Sequence, residues 1–237
     1  MQLQRYFQVK PYIGAWRRMD ITPLQTARGF RDDGALRKRI PALQDYESLA
    51  APIAAEITPH HGAYTTHVSN DVHAASVEIA VFLQLFCQLH KPTRMADLGS
   101  GFSSFILRRY AKGADPQPTV YSVDNHEGWL GKTREYLSRH NLSADNVMLW
   151  ENFIAQAEPG SFDLVFHDMG FMDFREETLE PVLSLTRPGG HIILDDVHKP
   201  AYRRFTHKML DDKGLEWLSL KRITVDNRAR YSYLVFT

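Results

Sequence analysis

The sequence predicts an α/β protein with a doubly wound, mostly parallel seven-stranded sheet, a terminal antiparallel hairpin and an N-terminal helical or irregular extension. Three observations carry this. Residues 95–104, MADLGSGFSS, run from an apolar stretch through an acid, Asp97, and a glycine-rich turn into an apolar-periodic segment, which reads as strand, tight turn and helix start. Beyond it, short apolar runs alternate with helix-period segments through short connections. At the end, ITVDNRAR joins two apolar runs with only the turn signal Asp226-Asn227, leaving no room for a helix between the last two strands.

Taken in order, residues 1–35 are punctuated by Pro11, Gly14, Pro23, Gly29 and Gly34 and read as irregular, yet Tyr6, Phe7, Tyr12, Trp16 and Phe30 are too aromatic for a disordered tail. The arm is expected to pack on the body, on a second subunit in a homo-oligomer, or over a substrate as a lid. Residues 36–58 read as helical in pieces, broken by Pro41 and Pro52. The polar stretch 60–73 leads into a helix over 74–90, closed by Pro92. Strands are then expected at 94–98, 119–124, 146–150, 162–168, 190–195, 215–220 and 230–236, with helices at 102–112, 128–140, 174–185 and 199–213. The division that follows is an extension over 1–73 and a main domain over 74–237.

Length and composition narrow the function. The chain has 237 residues, 43% of them hydrophobic, enough for one substantial core. Lys plus Arg and Asp plus Glu balance at 28 each, so no overall field points to nucleic acid or an acidic membrane. Residues 1–40 are nevertheless basic, with nine Lys/Arg against three Asp. The one cysteine, Cys87, lies on an apolar helix face and is expected as a buried thiol. No run approaches the roughly 18 apolar residues of a membrane span, and MQLQRYFQVKPY lacks the apolar core of a signal peptide. A cytoplasmic location is the expectation.

The glycine turn calls for a ligand approached closely by the backbone at a helix N-terminus. Twenty-three residues after Gly101, the strand TVYSVD ends in Asp124, the spacing at which an acid accepts the hydroxyls of a ribose. The turn departs from the dinucleotide pattern, because it lacks the third glycine and is led by Asp97. A carboxylate there repels phosphate and suits a cation. A sulfonium cofactor whose amino-acid tail carries an ammonium is such a ligand.

Over roughly residues 74–237 the chain resembles the class I S-adenosylmethionine-dependent methyltransferases, which have a Rossmann-like fold. The matching stretches are DLGSGFS at 97–103, SVD at 122–124, Glu151-Asn152, FDLVFHD at 162–168, RPGGHIILDD at 187–196 and the terminal hairpin. The resemblance implies that Gly99 and Gly101 lie under the methionine and ribose, with Ser100 and Ser103 in the same turn. It places Asp97 near the amino-acid end, and Asp124 with Asn125 at the ribose. Asn152 is the candidate for the adenine edge, where such families more often carry an aspartate. The histidines of 60–73 are irregularly spaced and have no cysteine beside them, which argues against zinc. Within that stretch His67 and Ser69 are expected at the mouth of the cofactor site.

Asp168 ends the fourth strand, and Asp195 and Asp196 end the fifth. On adjacent strands these carboxylates converge, and like charges need a cation or protons to neutralise them. A divalent ion with oxygen ligands, Mg²⁺, is the expectation, and the pattern is similar to that of the catechol- and macrolide-type O-methyltransferases. Catechol-type enzymes carry a lysine three residues after the first of these acids; here Phe171 stands there. Asp168 and His198 are therefore the candidate catalytic residues, His198 as the base. His167 is expected to face away from the site. The function expected is metal-assisted methyl transfer to a small-molecule hydroxyl. The alternatives are a metal-independent N- or C-methyltransferase and a nicotinamide-dependent oxidoreductase.

Overall fold

The structure, a computed structural model, describes residues 23–237, with side chains from residue 27. Tyr6, Phe7, Tyr12 and Trp16 of the aromatic arm lie outside the described residues. Helix α1 spans Pro23–Arg39, where irregular chain is expected up to residue 35. Pro23 takes the first helical position, where its missing N–H is harmless. A Cβ at Gly29 or Gly34 would meet nothing within 4 Å, so these glycines weaken the helix without redirecting it. Tertiary contacts outweigh that weakness. Buried Asp32 accepts the backbone N–H of Ser219 (3.1 Å), the Arg28 guanidinium lies 3.7 Å over the Trp217 ring, and Arg39 lies 3.6 Å over Phe236.

A 3₁₀ turn, Pro41–Asp45, leads to helix α2, Tyr46–His67, which runs through Pro52 and Pro59. The expected break at Pro52 does not occur. Ala50, Ile53, Ala54, Ile57 and Tyr64 recur at helical spacing and are all buried, and that face holds the helix together across the prolines. Residues 60–67, read as the start of a polar stretch, thus belong to α2. Helix α3 spans Val77–His90 and starts after Ser76, later than the expected residue 74, because the Ser76 hydroxyl accepts the Ile79 N–H and caps it. Cys87 is buried in α3, and burial pushes its thiol pKa up.

Strands and helices then alternate: β1 Arg94–Leu98, α4 Phe102–Gly113, β2 Thr119–Asp124, α5 Glu127–Arg139, β3 Val147–Leu149, α6 Trp150–Ile154, β4 Phe162–His167, α7 Met172–Leu185, β5 Thr186–Leu194, α8 Pro200–Asp212, β6 Glu216–Ser219, α9 Lys221–Thr224 and β7 Tyr233–Phe236. One seven-stranded sheet has the order β3-β2-β1-β4-β5-β7-β6. It is parallel except for β7, which pairs antiparallel with both β5 and β6. The single turn of α9 fits between the last two strands, where no helix is expected. Asp226 tightens the rest of that connection by accepting the backbone N–H groups of Arg228 and Arg230 (2.9 and 2.8 Å).

Alternation along the strands builds two cores. Met95, Leu164, Phe166 and Ile193 face α2, α3, α4 and α5. Ala96, Leu98, Val165, Ile192 and Leu194 face α6, α7 and α8. Residues from Leu36 to Tyr64 join the first of these cores, so α1 and α2 share it with α3. Among the described residues no helix is long and apolar enough to cross a membrane. The strand order reverses between β1 and β4, and the crevice at their carboxyl ends is where ligands of open α/β sheets collect.

Candidate functional site

Gly99 follows β1 with φ +113°, in the left-handed region, and a Cβ there would lie 2.5 Å from the Asp168 carbonyl oxygen. Only glycine lets β1 and β4 close this tightly at the switch point. The turn is tied to β2, since the N–H groups of Gly99 and Ser100 donate to the Val123 carbonyl (2.8 and 3.0 Å). At Gly101 a Cβ would come 3.0 Å from the Tyr64 hydroxyl. The C-terminal turns of α2 therefore roof the glycine turn, with Tyr64 packed against Phe102 and Tyr136.

Asp97 lies at the heart of this arrangement and is fully buried. One carboxylate oxygen accepts the Ser104 hydroxyl; the other, Oδ1, has no hydrogen-bond partner among the described residues. Burial pushes the pKa up to about 7, against the opposing effects of the Ser104 and Ser103 hydroxyls and of Arg108. A buried carboxylate oxygen without a donor is costly unless a cation or donor meets it. Asp124, at the end of β2, accepts the His126 N–H (3.0 Å), and burial pushes it up to about 6. Ser100 Oγ lies 3.5 Å from Asp124 Oδ2 and 3.1 Å from Thr133 Oγ1, so it orients the acid.

The other candidates fall around this centre. Ser103 is buried, its hydroxyl 3.5 Å from the Gly99 carbonyl. Asn125 is exposed beyond Asp124, and its Nδ2 lies 3.3 Å from where a Cβ at Gly170 would stand, so it reaches from β2 toward the end of β4. Asn152 is exposed on α6. His67 is the exposed last residue of α2, and the Ser69 N–H donates to the Tyr64 carbonyl (3.0 Å), placing both beside the tyrosine that covers the turn.

Residues 68–76 are clipped down from the opposite side. The Arg230 guanidinium donates to the carbonyls of Val72 (2.8 Å), Ala74 (3.2 Å) and Asp71 (3.2 Å), and Arg228 pairs with Asp71. Replacing Arg230 by alanine is expected to speed hydrogen exchange of amides 72–76 about tenfold while leaving β1 and β4 protected. Equal protection in both proteins would show that the clip does not hold the segment.

Asp168, Asp195 and Asp196 do lie at the ends of β4 and β5, but a residue the sequence reading missed stands among them. Arg175, on the first turn of α7 and only 5% exposed, puts Nη2 2.5 Å from Asp168 Oδ1 and Nη1 3.3 Å from Asp196 Oδ2. The same guanidinium lies 3.0 Å from the Asp168 carbonyl and 3.5 Å from that of Asp195. Asp195 Oδ1 instead accepts the Ser232 hydroxyl (2.6 Å), and Lys199 Nζ is 2.8 Å from Asp196 Oδ2. Among the described residues no three His, Cys, Asp or Glu side chains gather to hold a metal ion. Of the acids expected to hold Mg²⁺, Asp168 thus faces Arg175, Asp196 faces Arg175 and Lys199, and Asp195 is bonded to Ser232.

His198 is half-buried, with Nδ1 3.4 Å from Asp196 Oδ1; neither atom has a hydrogen-bond partner among the described residues. Burial lowers its pKa below the ordinary histidine value, with Asp196 opposing. Asp196 itself sits at φ +59°, a left-handed conformation that turns the chain where the pair is formed. His167 faces α7, with Nε2 3.0 Å from the Thr178 hydroxyl, and burial pushes its pKa down to about 3. Arg175 had one sequence signal, a lone arginine one turn into the helix after Asp168. Tyr64 had none, because its segment reads as polar.

Residues 96–197 match the family model described as a methyltransferase domain. No curated protein matches the sequence. Among solved structures the fold is similar to that of the O-methyltransferase TomG from Streptomyces achromogenes, involved in tomaymycin synthesis and solved with SAM. The two are 20% identical with a TM-score of 0.55, over 73% of this chain and 84% of that one. It is also similar to the O-methyltransferase from Bacillus cereus in complex with SAH, at 20% identity and TM-score 0.58, over 77% of this chain and 88% of that one. The SAH-bound methyltransferase PaMTH1 of Podospora anserina is 17% identical with a TM-score of 0.61, over 76% of this chain and 87% of that one. Residues 96–197, from the glycine turn past the acids at the ends of β2, β4 and β5, thus match a methyltransferase-domain model, and the sheet that carries them has the class I methyltransferase fold.

Proposed function

We propose that the protein transfers the methyl group of S-adenosylmethionine to a hydroxyl of a small molecule. The observation that carries this is Asp97, whose fully buried carboxylate keeps an unpartnered Oδ1 beneath the glycine turn. An ammonium answers that oxygen and a pyrophosphate does not, which favours this cofactor over a nicotinamide dinucleotide. Asp124, oriented by Ser100, accepts from the ribose hydroxyls. Gly99 and Gly101 leave space for the cofactor chain, Ser103 and Asn125 line it, and Asn152 is assigned to the adenine edge. Tyr64, with His67 and Ser69 beyond it, closes the site from above.

When bound, the cofactor supplies an electrophilic methyl on a sulfonium. The chain's own part at the acceptor is to remove a proton. His198 is suited to it, because burial keeps the imidazole neutral near pH 7 and Asp196 stands 3.4 Å away to stabilise the imidazolium. Asp168, held by Arg175 at the lip of β4, orients the hydroxyl.

The test is incubation with methyl-labelled S-adenosylmethionine and a panel of phenols, vicinal diols and amines. Label is expected in hydroxyl acceptors, and His198→Gln is expected to lower kcat about a hundredfold with the cofactor KM unchanged. Label appearing only in amines, or an unaltered kcat for the variant, would contradict the proposal.

A further inference from the structure

We infer that Arg175 is a built-in cation that takes the place of a divalent ion, positioning Asp168 and Asp196 at the acceptor side of the crevice so that methyl transfer needs no metal. The inference rests on the methyltransferase reading above and adds to it how the acceptor side is held. Its basis is the juxtaposition of one guanidinium with four acceptors on two strand ends. Those acceptors are the Asp168 carboxylate and carbonyl on β4, and the Asp195 carbonyl and Asp196 carboxylate after β5.

A metal and a guanidinium can both neutralise converging carboxylates, but they leave different signatures. A divalent ion takes oxygen ligands from all sides and needs the three acids turned inward. Here Asp195 is turned aside to Ser232 and Asp196 is shared with Lys199, so the acids do not converge on one point. A planar fork of N–H donors suits what is present, two carboxylates and two carbonyls spread along one side. The arginine is anchored for this task. Its backbone N–H donates to the Phe171 carbonyl (3.0 Å), closing the first turn of α7. Phe171 itself is 83% exposed, so the cation of this region comes from Arg175, four residues further on in α7.

The geometry also fixes what Arg175 does. Its guanidinium contacts are with Asp168, Asp195 and Asp196, so it acts through the acids, which makes it a positioning residue. Lysine is a poor replacement. Its ammonium is a point charge and cannot reach Asp168 and Asp196 in the same bidentate manner.

The experiment uses the full chain, with Mn²⁺ as a paramagnetic probe, in the presence and absence of S-adenosylhomocysteine. The wild-type protein is expected to bind no Mn²⁺ at millimolar concentration and to keep its methyl transfer in EDTA. Arg175→Ala is expected to lose about a hundredfold in kcat, and added Mn²⁺ is not expected to restore it, because Asp195 stays turned to Ser232 and Asp196 to Lys199. Arg175→Lys is expected to melt within a few degrees of wild type yet lose about tenfold in kcat, with the cofactor KM unchanged. Stoichiometric Mn²⁺ binding by wild type, activity abolished by EDTA and restored by Mg²⁺, or a lysine variant with wild-type kcat would each overturn the inference. Should Arg175→Ala not fold, the wild-type and lysine measurements decide it alone. S-adenosylhomocysteine binding separates the two claims. If it binds while wild type also takes up Mn²⁺, only this inference fails; if it does not bind, the methyltransferase reading fails first.

Discussion

Replacing Gly99 by alanine is expected to cost about 3 kcal/mol of stability and to abolish cofactor binding. Two penalties add. At φ +113° an L-residue is strained, and the new methyl would sit 2.5 Å from the Asp168 carbonyl oxygen and 2.6 Å from its carbon. Both are backbone atoms, so neither can swing away as a side-chain tip would. Relief requires β1 and β4 to part where the crevice is formed, or the Asp168 backbone to move and take the Arg175 contacts with it. For a chain of this size the melting temperature should fall by roughly 6 to 12 °C. Gly131→Ala serves as the control: it lies exposed within α5 with nothing within 4 Å of its Cβ position, so it should be neutral or stabilising by up to about 1 kcal/mol. A Gly99 variant that melts with wild type would show that the tight closure of β1 on β4 is not required.

Asp97→Asn is expected to weaken S-adenosylhomocysteine binding by about thirtyfold or more, the loss of about 2 kcal/mol that follows removal of one partner from a buried charge pair. The pH dependence gives an independent check. Burial raises the folded-state pKa of Asp97 to about 7, above the unfolded carboxylate value of about 4. The folded protein without ligand therefore holds this proton more tightly than the unfolded chain does. Ionisation of Asp97 works against the fold as pH rises from about 4 toward 7. An ammonium at Oδ1 reverses this, because it favours the carboxylate. Binding should release a proton below pH 7 and tighten as pH rises through that value, and in the asparagine variant the Asp97-linked part of that dependence should vanish. Calorimetry in buffers of different ionisation enthalpy measures the released proton directly. Proton uptake, or an unchanged pH profile in the variant, would contradict an ammonium at this position.

The parts of the fold that were legible in the sequence are those where local pattern and tertiary environment agree. The strand-turn-helix at 95–104 combines apolar run, glycine and helix period in one place, and β1 and α4 form where expected. The acids that end β2, β4 and β5 could be placed because parallel strands of one sheet deliver their carboxyl ends to one rim. The N-terminal part was less legible because its helices depend on distant partners. Helix α1 contains two glycines and is held by Asp32 on Ser219 and by arginines over Trp217 and Phe236, almost 190 residues away in sequence for the first of these. Pro52 and Pro59 signal breaks that the buried face of α2 overrides. The site shows the same division. Asp97, Gly99 and Asp124 announce themselves by spacing, whereas Arg175 matters only because α7 lays its first turn against two strand ends. Reading the acids without that arginine makes a metal the natural neutraliser, whereas Arg175 sets a guanidinium against two of them.

The most direct test of the account is a calorimetric titration of the wild-type protein with S-adenosylhomocysteine at pH 8. Saturable binding of one ligand per chain, in the micromolar range or tighter, is the expected result. Absence of binding, together with saturable binding of a nicotinamide dinucleotide under the same conditions, would contradict it.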